Sequence, residues 1–361
     1  MSRLSQLQAR MDTLGIDLVA LGPGAHLEWL LGMRPHGDER PLLLCVSGTG
    51  AVFLMPALEA ESARQHTDLP VITWTDDEGP EQAFANVLEN LQVQAAQSIA
   101  LDETMRADFA ALVQDALPGA RRQFGASTVG ALRMRKDADE FEALKKVALV
   151  GDAAMRKAWS EMRVGMTERD VAAIVRDNFK AQGAVPMFSI VGAGSNGAFP
   201  HHQTGETVLK SGDAVVMDIG GGLGGYPSDM TRMAVMGEAP DGYREIHAVV
   251  EAAVQAALEV AKPGAKAHEV DDAARGVIAD AGYGEFFVHR TGHGLGVEIH
   301  EPPYITASSQ EVLDEGMVFS IEPGIYLPGR FGIRLEDIVI LRPDGPEILS
   351  ELPRELYVVA G

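Results

Sequence analysis

Leu209-Lys-Ser-Gly-Asp-Ala-Val-Val-Met-Asp218-Ile-Gly220 and Leu313-Asp-Glu-Gly-Met-Val-Phe-Ser-Ile-Glu322-Pro-Gly324 are built alike. In each, a leucine stands nine residues and a glycine six residues ahead of an acid that closes an apolar strand pattern. A second acid follows both, Asp229 eleven residues after Asp218 and Glu336 fourteen after Glu322. The match extends upstream. Gly165 to Gly183 and Gly264 to Gly282 each span 18 residues that read as a helix, with a valine six residues in (Val171 and Val270). Thr167 with Asp170 predicts a capping box on the first helix. A period of about 100 residues is too long for a solenoid. The pattern predicts two copies of a helix–hairpin unit facing each other across a pseudo-twofold axis.

An acid in an apolar strand costs several kcal/mol unless it is paired or metal-bound. If the hairpins pack face to face, Asp218, Asp229, Glu322 and Glu336 converge, and their repulsion must be cancelled by cations. Four carboxylates match the charge of two divalent ions. Arg334, two residues from Glu336, reads as lying on the same strand face and as a partner for a carboxylate. The glycine-rich run Arg290-Thr-Gly-His293-Gly-Leu-Gly-Val-Glu-Ile-His300-Glu lets backbone approach a crowded centre. One imidazole among carboxylates suits one metal of a pair. His289 is given no role. Pro200-His201-His202 follows a loop suited to a pocket rim.

The rest of the chain frames this centre. Residues 1 to about 125 alternate strand and helix patterns, which predicts a sheet covered by helices. Strands are read at Asp17–Leu21, Leu42–Val46, Ala51–Met55, Val71–Trp74 and Ser98–Asp102, and helices at Ala57–Arg64, Pro80–Leu91 and Thr104–Leu117. His26 and His36 fall in loop-like sequence, where a solvated or gating role outweighs metal ligation. A boundary lies near 126–136, where Arg133–Lys136 forms a basic patch ahead of a long helix over Ala138–Met162. The domains are therefore drawn at 1–128 and 129–361.

The 361 residues carry 52 acids against 30 Lys and Arg, a formal charge of -22. Such a surface repels phosphate backbones and anionic lipid, so neither nucleic acid nor membrane is an expected partner. No signal-like N-terminus or run of ~20 apolar residues appears, so a cytoplasmic location is expected. The single cysteine, Cys45, excludes an intrachain disulfide and reads as a buried structural thiol.

Five separated motifs carry a resemblance over about residues 130–345. They are Met-Asp218-Ile-Gly, Tyr-Pro-Ser-Asp229-Met-Thr-Arg, Thr-Gly-His293-Gly-Leu-Gly, Ile-Glu322-Pro-Gly-Ile-Tyr and Ile-Arg-Leu-Glu336-Asp. In this order they resemble the pita-bread metallopeptidases (family M24), which include methionine aminopeptidase, aminopeptidase P and Xaa-Pro dipeptidase (prolidase). The α/β N-terminal portion resembles that of the proline-specific members and of creatinase. The resemblance implies an α/β N-terminal domain and an α+β pita-bread catalytic domain. It also implies Asp229 and Glu336 as bridging metal ligands, Asp218 on one ion, and His293 with Glu322 on the other. It implies hydrolysis of the Xaa-Pro bond of dipeptides or short peptides by a hydroxide bridging the two ions. His201 or His300 would stabilise the oxyanion, and Glu322 would shuttle the proton. His201, His300, Tyr226 and Arg334 would meet the substrate. The oxygen-rich set suits Mn²⁺ or Co²⁺, with Zn²⁺ possible. A homodimer is implied at the family level.

Tyr304 falls where some prolidases carry an arginine that holds the dipeptide carboxylate; Arg330, or a residue from a partner subunit, is a replacement. Methionine aminopeptidase, a creatinase-like amidinohydrolase and a non-catalytic peptide-binding module are the competing readings. The N-terminal domain argues against the first, and the complete ligand set against the other two.

Overall fold

A computed structural model describes residues 1–360. By internal contacts the chain divides into two compact units, Met1–Arg133 and a second beginning at Met134.

The first unit is built on six strands: β1 (Leu18–Leu21), β2 (Leu43–Val46), β3 (Ala51–Pro56), β4 (Val71–Trp74), β5 (Ser98–Leu101) and β6 (Arg121–Phe124). Their order is β4-β3-β2-β1-β5-β6. The short Ser47–Gly50 turn forces β2 and β3 antiparallel, whereas helical crossovers make β3/β4 and β5/β6 parallel. The helices at Ala57–Ala63, Glu81–Asn90 and Ala107–Ala116 fall within the spans read from the sequence. Cys45 is fully buried, and burial pushes its thiol up to about 12, as an inert core residue requires.

His26 departs from expectation. It sits buried on a helix, Ala25–Leu31, that ends at Gly32 in the left-handed region. Arg133 donates to its Nδ1 at 3.0 Å, and its Nε2 faces Glu103 at 3.3 Å. Arg133 on one ring nitrogen and Glu103 on the other tie His26 into a buried polar network.

The second unit opens with the helix Ala138–Glu161, started by an Asp137/Glu140 capping box. Its strands are β7 (Val185–Ala193), β8 (Ala214–Leu223), β9 (Tyr226–Pro227), β10 (Met230–Met236), β11 (Gly292–Gly294), β12 (Glu301–Ile305), β13 (Val318–Ile321), β14 (Gly324–Leu327), β15 (Phe331–Arg334), β16 (Asp337–Arg342), β17 (Gly345–Ile348) and β18 (Tyr357–Val359). One sheet runs β18-β10-β8-β7 with β9 on β8; another runs β12-β11-β13-β16-β17; β14 and β15 form a separate hairpin.

The internal repeat is legible in the backbone. The helices Glu168–Ala181 and Ala267–Asp280 occupy matched places. Gly165 and Gly264 both have φ 94°, a conformation that side chains resist. Each glycine donates its N–H to the matched leucine, Gly165 to Leu209 at 2.9 Å and Gly264 to Leu313 at 2.8 Å. The leucine N–H groups return bonds of 2.8 Å to Met166 and Ala265. The Thr167/Asp170 capping box is formed as the sequence predicts. Among the described residues no helix is long and apolar enough to cross a membrane.

Candidate metal centre

Strand register brings the acids together. β8 pairs antiparallel with β10, setting Asp218 opposite Thr231, two residues past Asp229. β13 pairs with β16, setting Ile321 opposite Asp337, so one step further faces Glu322 toward Glu336. The Glu336 N–H donates to the Thr231 carbonyl at 3.2 Å and ties the halves together. His293 lies in β11, its N–H held by Ser320 Oγ at 2.9 Å, and the same hydroxyl donates to Glu322 Oε1 at 3.1 Å.

Three overlapping sets of ligand atoms result, each within 4.8 Å. They are Asp218/Asp229/Glu336, His293/Glu322/Glu336 and Asp229/His293/His300. Glu336, Asp229 and His293 each belong to two sets. Asp218, Asp229, His293 and Glu336 are buried, and Glu322 is the least enclosed of the five. Burial, reinforced by the Asp218 and Glu322 charges, holds the Asp229 carboxyl well above the usual range. Burial and the Asp229 charge do the same to Glu336. Burial pushes Glu322 up to about 7 against the pull of Arg334. Burial, with His300 nearby, takes His293 down to about 3.

The donor set fits divalent cations. His293 Nδ1 donates to the Gly294 carbonyl at 3.1 Å, which leaves Nε2 with a bare lone pair. That lone pair faces Asp229 Oδ2 at 3.6 Å and Glu322 Oε1 at 3.4 Å, acceptor toward acceptor. Asp218 Oδ1 is buried with no hydrogen-bond partner. Buried acceptors without donors are costly, and a cation between them removes the cost.

Arg334 is the hub behind the acids. It donates to Asp218 Oδ2 at 2.6 Å, to Thr231 Oγ1 at 3.0 Å and to the Tyr326 hydroxyl at 2.7 Å. Thr231 then donates to Glu336 Oε2 at 2.8 Å. The sequence placed Arg334 beside Glu336 on one strand face and at the substrate. In the fold β15 ends at Arg334, so the arginine reaches Glu336 through Thr231; it partners the Asp218 carboxylate directly and lines the cavity that the acids face.

The centre opens into a cavity of about 500 Å³ whose wall includes Phe188, Ile190, Pro200, His201 and His300. His300 packs edge-on against His293 with ring centroids 4.1 Å apart. Tyr226, expected at the substrate, is not brought to this wall; its hydroxyl donates to Glu140 at 3.1 Å. His289, denied a role from sequence, does line the cavity and accepts from the Tyr326 hydroxyl at 2.8 Å. Burial takes its imidazole down to about 4. Arg330 does not reach the cavity; it donates to the Asp241 carbonyl at 2.8 Å and stacks on Phe331. Arg290 does, with its guanidinium 4.6 Å above the Tyr304 ring. Only the motif His-Arg-Thr-Gly-His hinted at Arg290 and His289; Thr231, Ser320 and Tyr326 had no signal beyond adjacency to ligand motifs.

Residues 142–343 match the model of metallopeptidase family M24, and residues 3–135 match the Creatinase/Prolidase N-terminal domain. The chain belongs to metallopeptidase family M24. It is 39% identical over 364 residues to a probable dipeptidase PepE of Mycobacterium tuberculosis, covering 99% of this chain and 96% of that one. It is 34% identical to an Xaa-Pro dipeptidase of Pyrococcus furiosus, covering 98% and 99%. Among solved structures it resembles dipeptidase PepE from Mycobacterium ulcerans, with TM-score 0.95, 37% identity and coverage of 99% and 97%. A prolidase from Thermococcus sibiricus gives TM-score 0.91 at 34% identity, covering 99% and 98%. The fold is thus a creatinase-type N-terminal domain followed by the M24 pita-bread domain, and the protein is a metallopeptidase that works with divalent metal ions.

Proposed function

We propose that this M24 protein is an Xaa-Pro dipeptidase that binds two divalent ions through Asp218, Asp229, His293, Glu322 and Glu336. The observation that carries the reading is the overlap of the ligand sets, in which Asp229, His293 and Glu336 each belong to two, so that the five side chains form one continuous cluster. The acid-rich, single-imidazole set favours Mn²⁺ or Co²⁺ over a thiolate-type zinc site. When bound, such a pair supplies Lewis acidity and acidifies a water at neutral pH.

The chain's own residues do the rest. Phe188, Ile190 and Pro200 offer an apolar wall for the proline ring, which brings no N–H to satisfy. His201 and His300 line the same cavity and can donate to the carbonyl oxygen as it gains charge. Glu322 carries a proton to the departing proline nitrogen, a role supported by its being the least enclosed of the acids. Arg290 takes the role first considered for Arg330. Its guanidinium is stacked on Tyr304 rather than paired with an acid, so its donors remain for the substrate carboxylate. The reading extends to a homodimer, as the family resemblance implies, acting in the cytoplasm.

The test compares Xaa-Pro dipeptides with Xaa-Pro-Yaa tripeptides in excess Mn²⁺. Cleavage of dipeptides alone is expected. Equal or better tripeptide turnover would make the protein an aminopeptidase P instead, and no cleavage of either would end the proposal.

A further inference from the structure

The basic patch at Arg133–Lys136 has a use that the metal centre does not explain. Lys136 is not a surface charge. Its Nζ contacts Glu301 Oε1 at 2.6 Å, with the two side chains 1% and 2% exposed. The partners are 165 residues apart. Lys136 is fixed from its own side by an N–H bond of 2.8 Å to the Gly316 carbonyl. A buried ion pair is costly to form, and removing one partner leaves a charge with no compensation.

Glu301 follows His300 directly and forms the inside of the turn between β11 and β12. It accepts from the Glu298 N–H at 3.3 Å, and the Gly296 N–H closes the same turn on the Glu298 carbonyl at 2.9 Å. A Cβ at Gly296 would overlap the Glu301 carboxylate, so the turn is wrapped tightly around that group. The register of β11 and β12 shifts between His293 and Gly294, at the entrance to the turn.

The two histidines flanking this turn are held differently. His293 is anchored by Ser320 through its N–H and by Gly294 through its ring. The His300 ring has contact with His293 but no hydrogen bond of its own among the described residues. Its direction therefore depends on the shape of the turn, and the turn is built on the Glu301 carboxylate.

We propose that Lys136 is a positioning residue: by neutralising Glu301 inside the 294–301 turn, it aims His300 into the active-site cavity. The inference rests on the reading of His300 as a group that meets substrate. Without the lysine, the Glu301 carboxylate seeks water and the turn opens. His300 then leaves the cavity wall while the five metal ligands stay in place.

The test uses the full chain loaded with Mn²⁺ and an Xaa-Pro dipeptide, and compares Lys136→Met with Lys136→Met/Glu301→Gln. The double variant buries no charge and keeps an acceptor for the Glu298 N–H. Lys136→Met is expected to lower kcat about 10²-fold, the scale of an ångström-sized misplacement, with Mn²⁺ uptake within about twofold of the wild type. The double variant is expected to regain most of the lost rate. Crystal structures should show the His300 ring displaced from His293 in the single variant and returned in the double. If Lys136→Met does not fold, Lys136→Gln takes its place in the same comparison, since it can donate to the Glu301 carboxylate without neutralising it. Unchanged kcat with an unmoved His300 would overturn the proposal. So would a rate loss that follows loss of Mn²⁺ uptake, because the pair would then serve the whole fold. A wild type that cleaves no Xaa-Pro dipeptide would sink the functional reading alone; the His300 position would still decide this one.

Discussion

At the scale of single residues, Asp229, Glu336 and His293 each belong to two ligand sets, and the two acids are proposed as the bridging ligands on the strength of the family resemblance, with His293 on one ion. Asp229→Ala should abolish tight binding of both ions and reduce hydrolysis at least about 10³-fold, whereas His293→Ala should leave one ion bound; metal analysis after dialysis distinguishes the two. Retained turnover of Asp229→Ala with manganese would contradict the assignment. Arg290→Ala should raise KM for an Xaa-Pro dipeptide about 10- to 100-fold, the worth of a hydrogen bond to a charged group, and leave the Xaa-Pro amide unaffected. The same KM increase on both substrates would place Arg290 elsewhere in the mechanism. The five proposed ligands each sit in a short sequence motif, and the four acids among them also at matched repeat positions. Their supports could not be read from the sequence. Arg334 meets Asp218 across 116 residues and Thr231 across 103, and such distances carry no local pattern.

At the scale of elements, hydrophobic periodicity and glycine spacing were enough for most helices and for β1 to β5, β8 and β13, but the helix Tyr243–Val260 and most other strands of the second unit were not read from the sequence. The helix Ala25–Leu31 escaped because seven residues give too little periodicity, and β6 because Arg121-Arg-Gln-Phe124 is largely exposed and polar. The glycines also separate two kinds of constraint. At Gly264 a Cβ would meet nothing within 4 Å, so Gly264→Ala should cost only the conformational strain of φ 94°, about 1–3 kcal/mol by denaturant titration, with metal uptake kept. At Gly292 a Cβ would overlap the Ser320 carbonyl, so Gly292→Ala should displace His293 and Ser320 together. Normal Mn²⁺ binding by Gly292→Ala would contradict the packing described for β11 and β13.

At the scale of the whole molecule, the centre links stability to pH. Glu322, Asp229 and Glu336 all have folded values raised above their ordinary ones, Glu322 to about 7 from 4.5. In the metal-free protein these groups add stability below their ordinary values, and that stability is lost as pH rises through the folded ones. His293, lowered to about 3 from 6.5, acts in the opposite sense, losing its contribution as pH falls between those values. Burial lowers His247, His289 and His300 in the same sense, so below pH 6.5 the imidazoles oppose the acids; above it only the acids act, and the metal-free melting temperature should fall between about pH 6.5 and 8. The gain on adding Mn²⁺ should be larger at the higher pH, where fewer protons must be displaced. A metal-free protein that becomes more stable over that range would mean the acids are not crowded together.

The most direct measurement is titration calorimetry of the metal-stripped protein with Mn²⁺ in buffers of different ionisation heat. Two ions per chain, bound with release of protons, are predicted. No uptake, or uptake unaltered by Asp229→Ala, would contradict a centre in which buried carboxylates from both halves of the repeat share a pair of cations.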